Sequence, residues 1–493
     1  MTSLKLKKTL YLSHRWLGIA VCLFMALWFV SGVVMLYIGY PKLTSQEHFK
    51  PLPILKTLNC CFDFKQVLDS TIQTSSPDNI RLTSISGKPI YIFNFGKRQI
   101  SVDGRTGELV HEITPRDALA SAQSFLKDVD GQYLAIVNED AWTHSRALDP
   151  HRPLHLVEMN DEEKTWLYIS SQTGEVVRDA NQTERVWNWI GAWLHWLYPF
   201  RGGIFDKVAP DIVIYSSLAG TVLTITGLFV GLLRWRFKGT YKQGVKTPYK
   251  SKIMRWHHCF GLIFGLLTFT WVISGLFSVN PWKIFDHSNN KPNHNAYMGG
   301  EFKSGIFQIT FEAALYGFND IGFYPSEIEM SLIGGKGYYI GFNSQGNSMI
   351  IEAKANSIPF SQFGKPELEN AAKNLFPHAN LVNCEIVDAY DFYYYSRAPH
   401  TMTGHLEKRL PVYRFKFDDP YNSWVQIDSF TGTYTILDSY KRTKRILFSL
   451  LHSWDWVPLL NSRPLWDCFM IFFSIGGFII SLTGIFIGIR RLS

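Results

Sequence analysis

The sequence predicts a membrane protein of four transmembrane helices and two mixed α+β domains outside the bilayer, assembled by internal duplication. Three observations predict it. Four apolar stretches are long enough to cross a membrane, the basic residues between and beyond them face no acids on one side only, and a set of residue intervals occurs twice.

The 493 residues are 46% apolar and 18% charged, against roughly 25% charged in soluble domains. That composition excludes disorder, and 37 Gly, 22 Pro and 6 Cys exclude collagen-like and disulfide-scaffold chains. A spanning helix needs about 20 mostly apolar residues. The predicted spans are Trp16–Tyr40, Ile212–Leu233, Phe260–Val279 and Leu465–Ile489. Lys5, Lys7 and Lys8 precede the first as they would a signal peptide. Its apolar run is too long for one and no A-x-A site follows, so it reads as a retained anchor.

Charge predicts the orientation. The N-terminal arm, the link from Arg234 to Arg255 and the C-terminal Arg490-Arg491 together carry 14 basic residues and no acid. Of the 41 Asp and Glu, all but Asp467, at the outer edge of span four, fall in the long segments between spans one and two and between spans three and four. The positive-inside rule then puts both termini and the link in the cytosol, and the long segments of about 170 and 185 residues outside. The net charge of +8 reads as topology, not nucleic-acid binding. The predicted division is 1–40 for the arm and first span, 41–184 for the first outer domain, and 185–236 for an interfacial helix and the second span. It continues with 237–255 for the basic link, 256–281 for the third span, 282–441 for the second outer domain, and 442–493 for a second interfacial helix and the last span.

The duplication rests on matched intervals. His14-Arg-Trp-Leu-Gly18 with Ser31-Gly32 matches His257-His-Cys-Phe-Gly261 with Ser274-Gly275. Thr173-Gly-Glu-Val-Val, Arg185 and His195 recur in the same order, at different spacing, as Thr431-Gly-Thr-Tyr-Thr, Arg445 and His452. His195 and His452 each lie 31 residues before a Thr-Gly pair, Thr226-Gly227 and Thr483-Gly484. Coincident intervals of this kind mark a repeat, with halves near 1–240 and 250–493.

In the first outer segment, alternation predicts strands at 88–95, 98–102, 133–137, 154–159 and 166–169, and Thr114-Pro115-Arg-Asp117 starts a helix. In the second it predicts a hairpin at 338–342 and 349–353, a hairpin turn at Gly334-Gly335-Lys-Gly337 ahead of it, a helix at 366–375, and a late hairpin at 412–417 and 424–427.

Four of 15 His occupy the repeated positions: His14 and His257 near the inner ends of spans one and three, His195 and His452 near the outer ends of spans two and four. An ionisable side chain beside a span is costly and marks function by default. Haem iron takes imidazole from facing helices in an apolar slot. At 1.5 Å per residue a span separates its ends by roughly 30 Å, so an inner and an outer His cannot share one iron. The pairs consistent with depth are His14 with His257 and His195 with His452, giving two haems b. His258 adjoins His257 and is kept in reserve. Arg15, Arg185, Arg445, Arg201 and Arg463 are candidates for propionates. Cys22, Cys259 and Cys468 read as small hydrophobes in spans, and Cys60, Cys61 and Cys384 as thiols that could form a disulfide. His144, His151, His155, His400 and His405 lack zinc-like spacing. No dinucleotide fingerprint or P-loop is present, so electrons must come from quinol or a separate cytosolic flavoprotein.

The runs His14-Arg-Trp-Leu-Gly18, Trp193-Leu-His195-Trp-Leu-Tyr and Arg463-Pro-Leu-Trp466 to Thr483-Gly484 resemble the PepSY-associated transmembrane family, as do Asp103-Gly-Arg-Thr-Gly107 and Thr114-Pro-Arg-Asp-Ala118 in the outer segment. The resemblance covers essentially the whole chain. It implies four spans with periplasmic PepSY-like domains in a bacterial inner membrane, and likeness to ferric-siderophore reductases that bind two b-type haems through span histidines. The expected activity is haem-dependent transmembrane ferric reduction in iron acquisition. The alternative is a membrane-anchored PepSY module that binds peptides or regulates a protease, without haem. A transporter is disfavoured, because the repeat is parallel and no span interior carries an acid.

Overall fold

The computed structural model describes residues 2–56, 76–96, 98–201, 203–286 and 291–493. Four helices, Thr2–Met35, Ala209–Arg234, Lys252–Ser278 and Leu465–Leu492, are each long and apolar enough to cross a membrane. The first and third each pack on the second and fourth, closing a ring in which the first faces the third across the diagonal. The outward faces carry Leu23, Phe229, Ile263, Leu266, Phe472 and Ile475, each more than half exposed, which suits lipid rather than water.

The first helix differs from the predicted span at both ends. It stops at Met35, because Pro41 and Gly39 follow and a residue before proline leaves the helical region. It starts at Thr2, because Leu and Lys in the arm favour helix while lying outside any hydropathy window. Its 34 residues reach about 51 Å, more than the roughly 30 Å of a bilayer core. The third helix likewise begins at Lys252, ahead of its apolar run.

The segments between spans build fourteen strands. The first holds β1–β3 (Asn79–Ile85, Lys88–Phe95, Arg98–Asp103) and β4–β7 (Gly131–Val137, Leu154–Met159, Trp166–Ser170, Val176–Ala180). The second holds β8–β10 (Glu327–Ile333, Lys336–Phe342, Ser348–Glu352) and β11–β14 (Leu381–Val387, Val412–Phe417, Trp424–Asp428, Tyr434–Leu437). Each half therefore runs as a three-stranded meander, a helix (Pro115–Phe125 or Lys365–Lys373), a four-stranded meander and then its even-numbered span. The duplication read from intervals is thus a duplication of topology. Strands β1, β7, β8, β11 and β14 went unpredicted. Of these, β1 and β8 do alternate, Ile80 and Leu82 flanking Arg81, and Ile328, Met330 and Leu332 alternating with Glu327, Glu329 and Ser331.

The two outer segments do not fold apart as two predicted domains. Their three-stranded meanders join into one six-stranded sheet, ordered β10-β9-β8-β1-β2-β3. β1 pairs antiparallel with β8, centred on Arg81 opposite Glu329. Without this pairing both strands would present open edges. One core lies beneath, with Leu82, Tyr91 and Phe93 from the first half against Ile328, Met330 and Tyr339 from the second, all fully buried.

A charged staple crosses the joint. Arg81 reaches Glu175 at 2.8 and 3.0 Å and Glu327 at 2.9 Å, and His48 meets Glu327 at 3.1 Å. Burial would raise the Glu327 carboxyl, but Arg81 and His48 hold it down at about 2. Burial and the neighbouring Glu327 push Glu329 up to about 7.

Candidate functional site

The four repeated histidines form two facing pairs. His14 lies on the first long helix and His257 on the third, equally many residues before the helix ends Met35 and Ser278. Their ring centres are 6.1 Å apart across the bundle. His195 and His452 have ring centres 6.0 Å apart near the sheet-bearing end.

His195 and His452 sit on the short helices Ala192–His195 and Leu451–Ser453 that precede the second and fourth spans. Each short helix ends in a left-handed residue two positions after its histidine, Leu197 (φ 54°) and Trp454 (φ 47°). A non-glycine residue held there is strained, and the strain recurs at the same place in both halves. The turn folds each histidine back against the first or third long helix.

The Nδ1 partners decide the tautomer. Nδ1 of His14 lies 3.2 Å from the Leu223 carbonyl, and that of His257 lies 3.2 Å from the Ile480 carbonyl. A carbonyl only accepts, so both Nδ1 atoms donate. Nδ1 of His452 donates to the Trp271 carbonyl (3.2 Å) and meets Ser274 Oγ at 3.0 Å. Nδ1 of His195 meets Ser31 Oγ at 3.0 Å, whose own proton goes to the Trp28 carbonyl. All four rings therefore carry their proton on Nδ1 and present a bare Nε2 lone pair. An outer hydrogen bond of this kind orients an imidazole for a metal and strengthens it as a ligand.

The spacing fits the donor set. With ring centres 6.1 and 6.0 Å apart, His14 with His257 and His195 with His452 are close enough that each pair would hold one haem iron. Each ring is only half-buried. A Cβ at Gly261, one turn beyond His257, would meet nothing within 4 Å. From His14 to Ser31, the contact of His195, the first helix rises about 25 Å, so the pairs are two separate sites.

The repeated Ser-Gly and Thr-Gly dipeptides now have a physical role. Gly32 and Gly275 adjoin the rings of His195 and His452, a Cβ there coming 3.6 Å from each Cε1. Gly227 adjoins His14, and a Cβ would lie 2.7 Å from its Cε1; at Gly484 it would lie 3.5 Å from Cε1 of His257. Sequence reasoning found these dipeptides as repeat markers and missed that they seat the imidazoles. Gly227→Ala is expected to displace His14 and remove ligation at the first pair while the second persists. Haem quantified per chain, with the helical circular dichroism unchanged, checks this.

The geometry separates His257 from its neighbour. His258 uses both nitrogens, Nδ1 with Thr247 Oγ1 and Nε2 with the Gly231 carbonyl, each at 2.8 Å. Arg185 lies over the Trp166 ring at 4.3 Å and donates to the Ala180 and Lys164 carbonyls. Arg445 is buried between Phe392 and Tyr395 and pairs with Asp455 at 2.7 Å. Both arginines are thus engaged within the protein. Arg15 is exposed on the helix surface beside His14. Arg201 stands over Tyr198 and Arg463 pairs with Asp467.

No family profile and no curated protein matches this chain. The resemblance drawn from its motifs therefore stands on the residues quoted for it. Cys22 is buried, Cys259 and Cys384 are intermediate and Cys468 is exposed, all as free thiols. Cys60 and Cys61 lie outside the described residues. His144 meets Glu139, His151 meets Ser170, His155 meets Tyr133 and His400 meets the Leu36 carbonyl. Of the aromatic residues near the second pair, Trp196 packs with Tyr40 and Tyr198 at 5.4 Å each, and Trp454 packs on Trp271 at 6.1 Å. Trp187, Trp189 and Trp456 are exposed, as an interfacial belt would be.

Proposed function

We propose that the protein is a di-haem b electron-transfer protein of a bacterial inner membrane, carrying electrons from cytosolic flavoprotein or quinol to a ferric chelate such as a ferric siderophore in the periplasm. The two facing imidazole pairs carry this reading. Nε2 of His14 and His257 would hold one haem, and Nε2 of His195 and His452 the other. Bound haem supplies reversible one-electron exchange. The chain's own residues orient the ligands through Nδ1. Between the pairs Met25, Phe29, Trp271 and Val272 pack as a dry core that excludes water. The one-sided basic residues support cytosolic termini and a periplasmic sheet end. Reduction would loosen the chelate, since Fe(II) is the poorer partner for oxygen donors.

The test is a dithionite-reduced minus oxidised visible spectrum of detergent-purified protein, with haem quantified per chain. Two b-type haems are expected. None, after expression with adequate haem, overturns the reading and leaves the peptide-binding anchor.

A further inference from the structure

A chamber of about 710 Å³ opens between the exit of the first span and the sheets. Its two ends differ in charge. At one end Arg81, His48, Glu175 and Glu327 neutralise one another through the staple described above. At the other stand Lys42, Arg178 and His405. Among the described residues no ion pair joins Lys42 or Arg178 to a carboxylate.

Lys42 and Arg178 are pinned by backbone carbonyls rather than neutralised, while burial with Lys42 and Arg178 nearby lowers the His405 pKa and leaves it a neutral hydrogen-bonding ring. Lys42 Nζ donates to the carbonyls of Thr401 (3.2 Å) and Met402. Arg178 is 6% exposed, donates from Nη1 to the Trp142 carbonyl at 2.7 Å and lies over the Tyr40 ring. Its Nε is buried without a partner, as is Nδ1 of His405. The neighbouring acids offset this charge only in part. Asp140 makes no ion pair with Arg178 and instead accepts from the Trp142 amide, the Thr143 hydroxyl and the Tyr168 hydroxyl. Burial, Glu47 and Glu184 push the Asp179 carboxyl up to about 8, so it is largely neutral at pH 7. Burial and the adjacent Arg178 in turn hold Lys42 down at about 8. Like charges gathered in a partly enclosed site with unmade hydrogen bonds are relieved by an oxyanion, which supplies both the counter-charge and the acceptors.

We propose that Lys42, Arg178 and His405 bind a carboxylate-rich anionic chelate in this chamber. In naming that chelate as the electron acceptor, the proposal rests on the di-haem reading. The wall beside the three residues is the aromatic trio Tyr40, Trp196 and Tyr198, and Trp196 directly follows His195. The anion would therefore lie next to the second histidine pair.

The test is equilibrium binding of gallium(III) citrate, which is redox-inert, to the full-length protein by calorimetry at low salt. Wild type is expected to bind it. Lys42→Ala and Arg178→Gln are each expected to weaken binding about tenfold or more, the loss of one charge-assisted contact. Exposed Lys354→Ala is the control and should bind as wild type. If Arg178→Gln does not fold, Lys42→Ala decides alone, since Lys42 contacts only loop carbonyls. Absent binding by wild type, or variants that bind like it, overturns the proposal. So does loss of one haem equivalent in the variants without gallium citrate binding by wild type, which would assign the cluster to haem propionates. If no haem is present but gallium citrate still binds through Lys42, the anion site stands and the di-haem reading alone fails.

Discussion

If the wild type binds the two haems proposed, His195→Ala combined with His452→Ala is expected to leave one haem equivalent per chain. His14→Ala with His257→Ala should leave the complementary one. The pairs are separated by about 25 Å of helix, so removing one set of ligands leaves the other's geometry in place. Ala at 195 and 452 frees Ser31 and Ser274 to keep their bonds to the Trp28 and Trp271 carbonyls, so the first and third helices should hold. In sealed vesicles with reductant supplied only at the face of the first pair, each double variant should lose nearly all transfer to a ferric acceptor on the sheet side, because a conduit needs both stations. His258→Ala provides the contrast. It lacks a free nitrogen in the wild type and should retain both haems. Loss of neither haem in the His195/His452 variant would sink the assignment of the second site.

Arg81→Ala is expected to be the most destabilising single change in the sheet joint. It leaves Glu175 and Glu327, with side chains 8% and 4% exposed, without their shared guanidinium. Breaking a buried pair by removing one partner costs about 3–5 kcal/mol, which lowers the unfolding temperature by on the order of 10 °C in a chain of this size. Thermal unfolding of detergent-solubilised protein, followed at a fixed scan rate, measures it. The pH dependence has a definite sign. Glu327 has a folded pKa of about 2, below its ordinary 4.5, so its contribution is present above 4.5 and is lost as pH falls towards 2. Glu329 has a raised pKa of about 7, so its contribution is present below 4.5 and is lost as pH rises through 7. Wild type should thus be most stable between these limits. Without Arg81 the Glu327 carboxyl rises and protonates readily, so the deficit of the variant should shrink as pH falls below about 5. A deficit that grows in acid would contradict the staple. A variant that also replaces Glu175 and Glu327 by apolar residues of similar volume should recover most of the loss.

Parts of the architecture were legible before any coordinates. Four spans follow from apolar length. Strands β2 and β5 were found with their limits, because each is a short, mostly buried apolar run that stops at turn or polar residues. β1 and β8 were not, although Ile80 and Leu82 in the one and Ile328, Met330 and Leu332 in the other alternate with polar residues. The start of the first helix was missed for another reason. Hydropathy reports what lipid accepts, while helix formation follows Leu and Lys into the basic arm.

By itself the sequence determined the four spans, the one-sided charge, the duplication and the four histidines that recur in it. These are local or periodic properties, and a single strand of residues displays them. Only the tertiary structure decided that His258 spends both nitrogens where His257 keeps one bare, and that Ser31, Ser274, Ile480 and Leu223 hold the rings. It alone joined β1 to β8 and gathered Lys42, Arg178 and His405 around one chamber. Each of those facts is a contact between residues more than a hundred positions apart or a choice between adjacent ones. Neither leaves a spacing or a period along the chain, because backbone reach and side-chain direction are settled only when the helices and sheets pack.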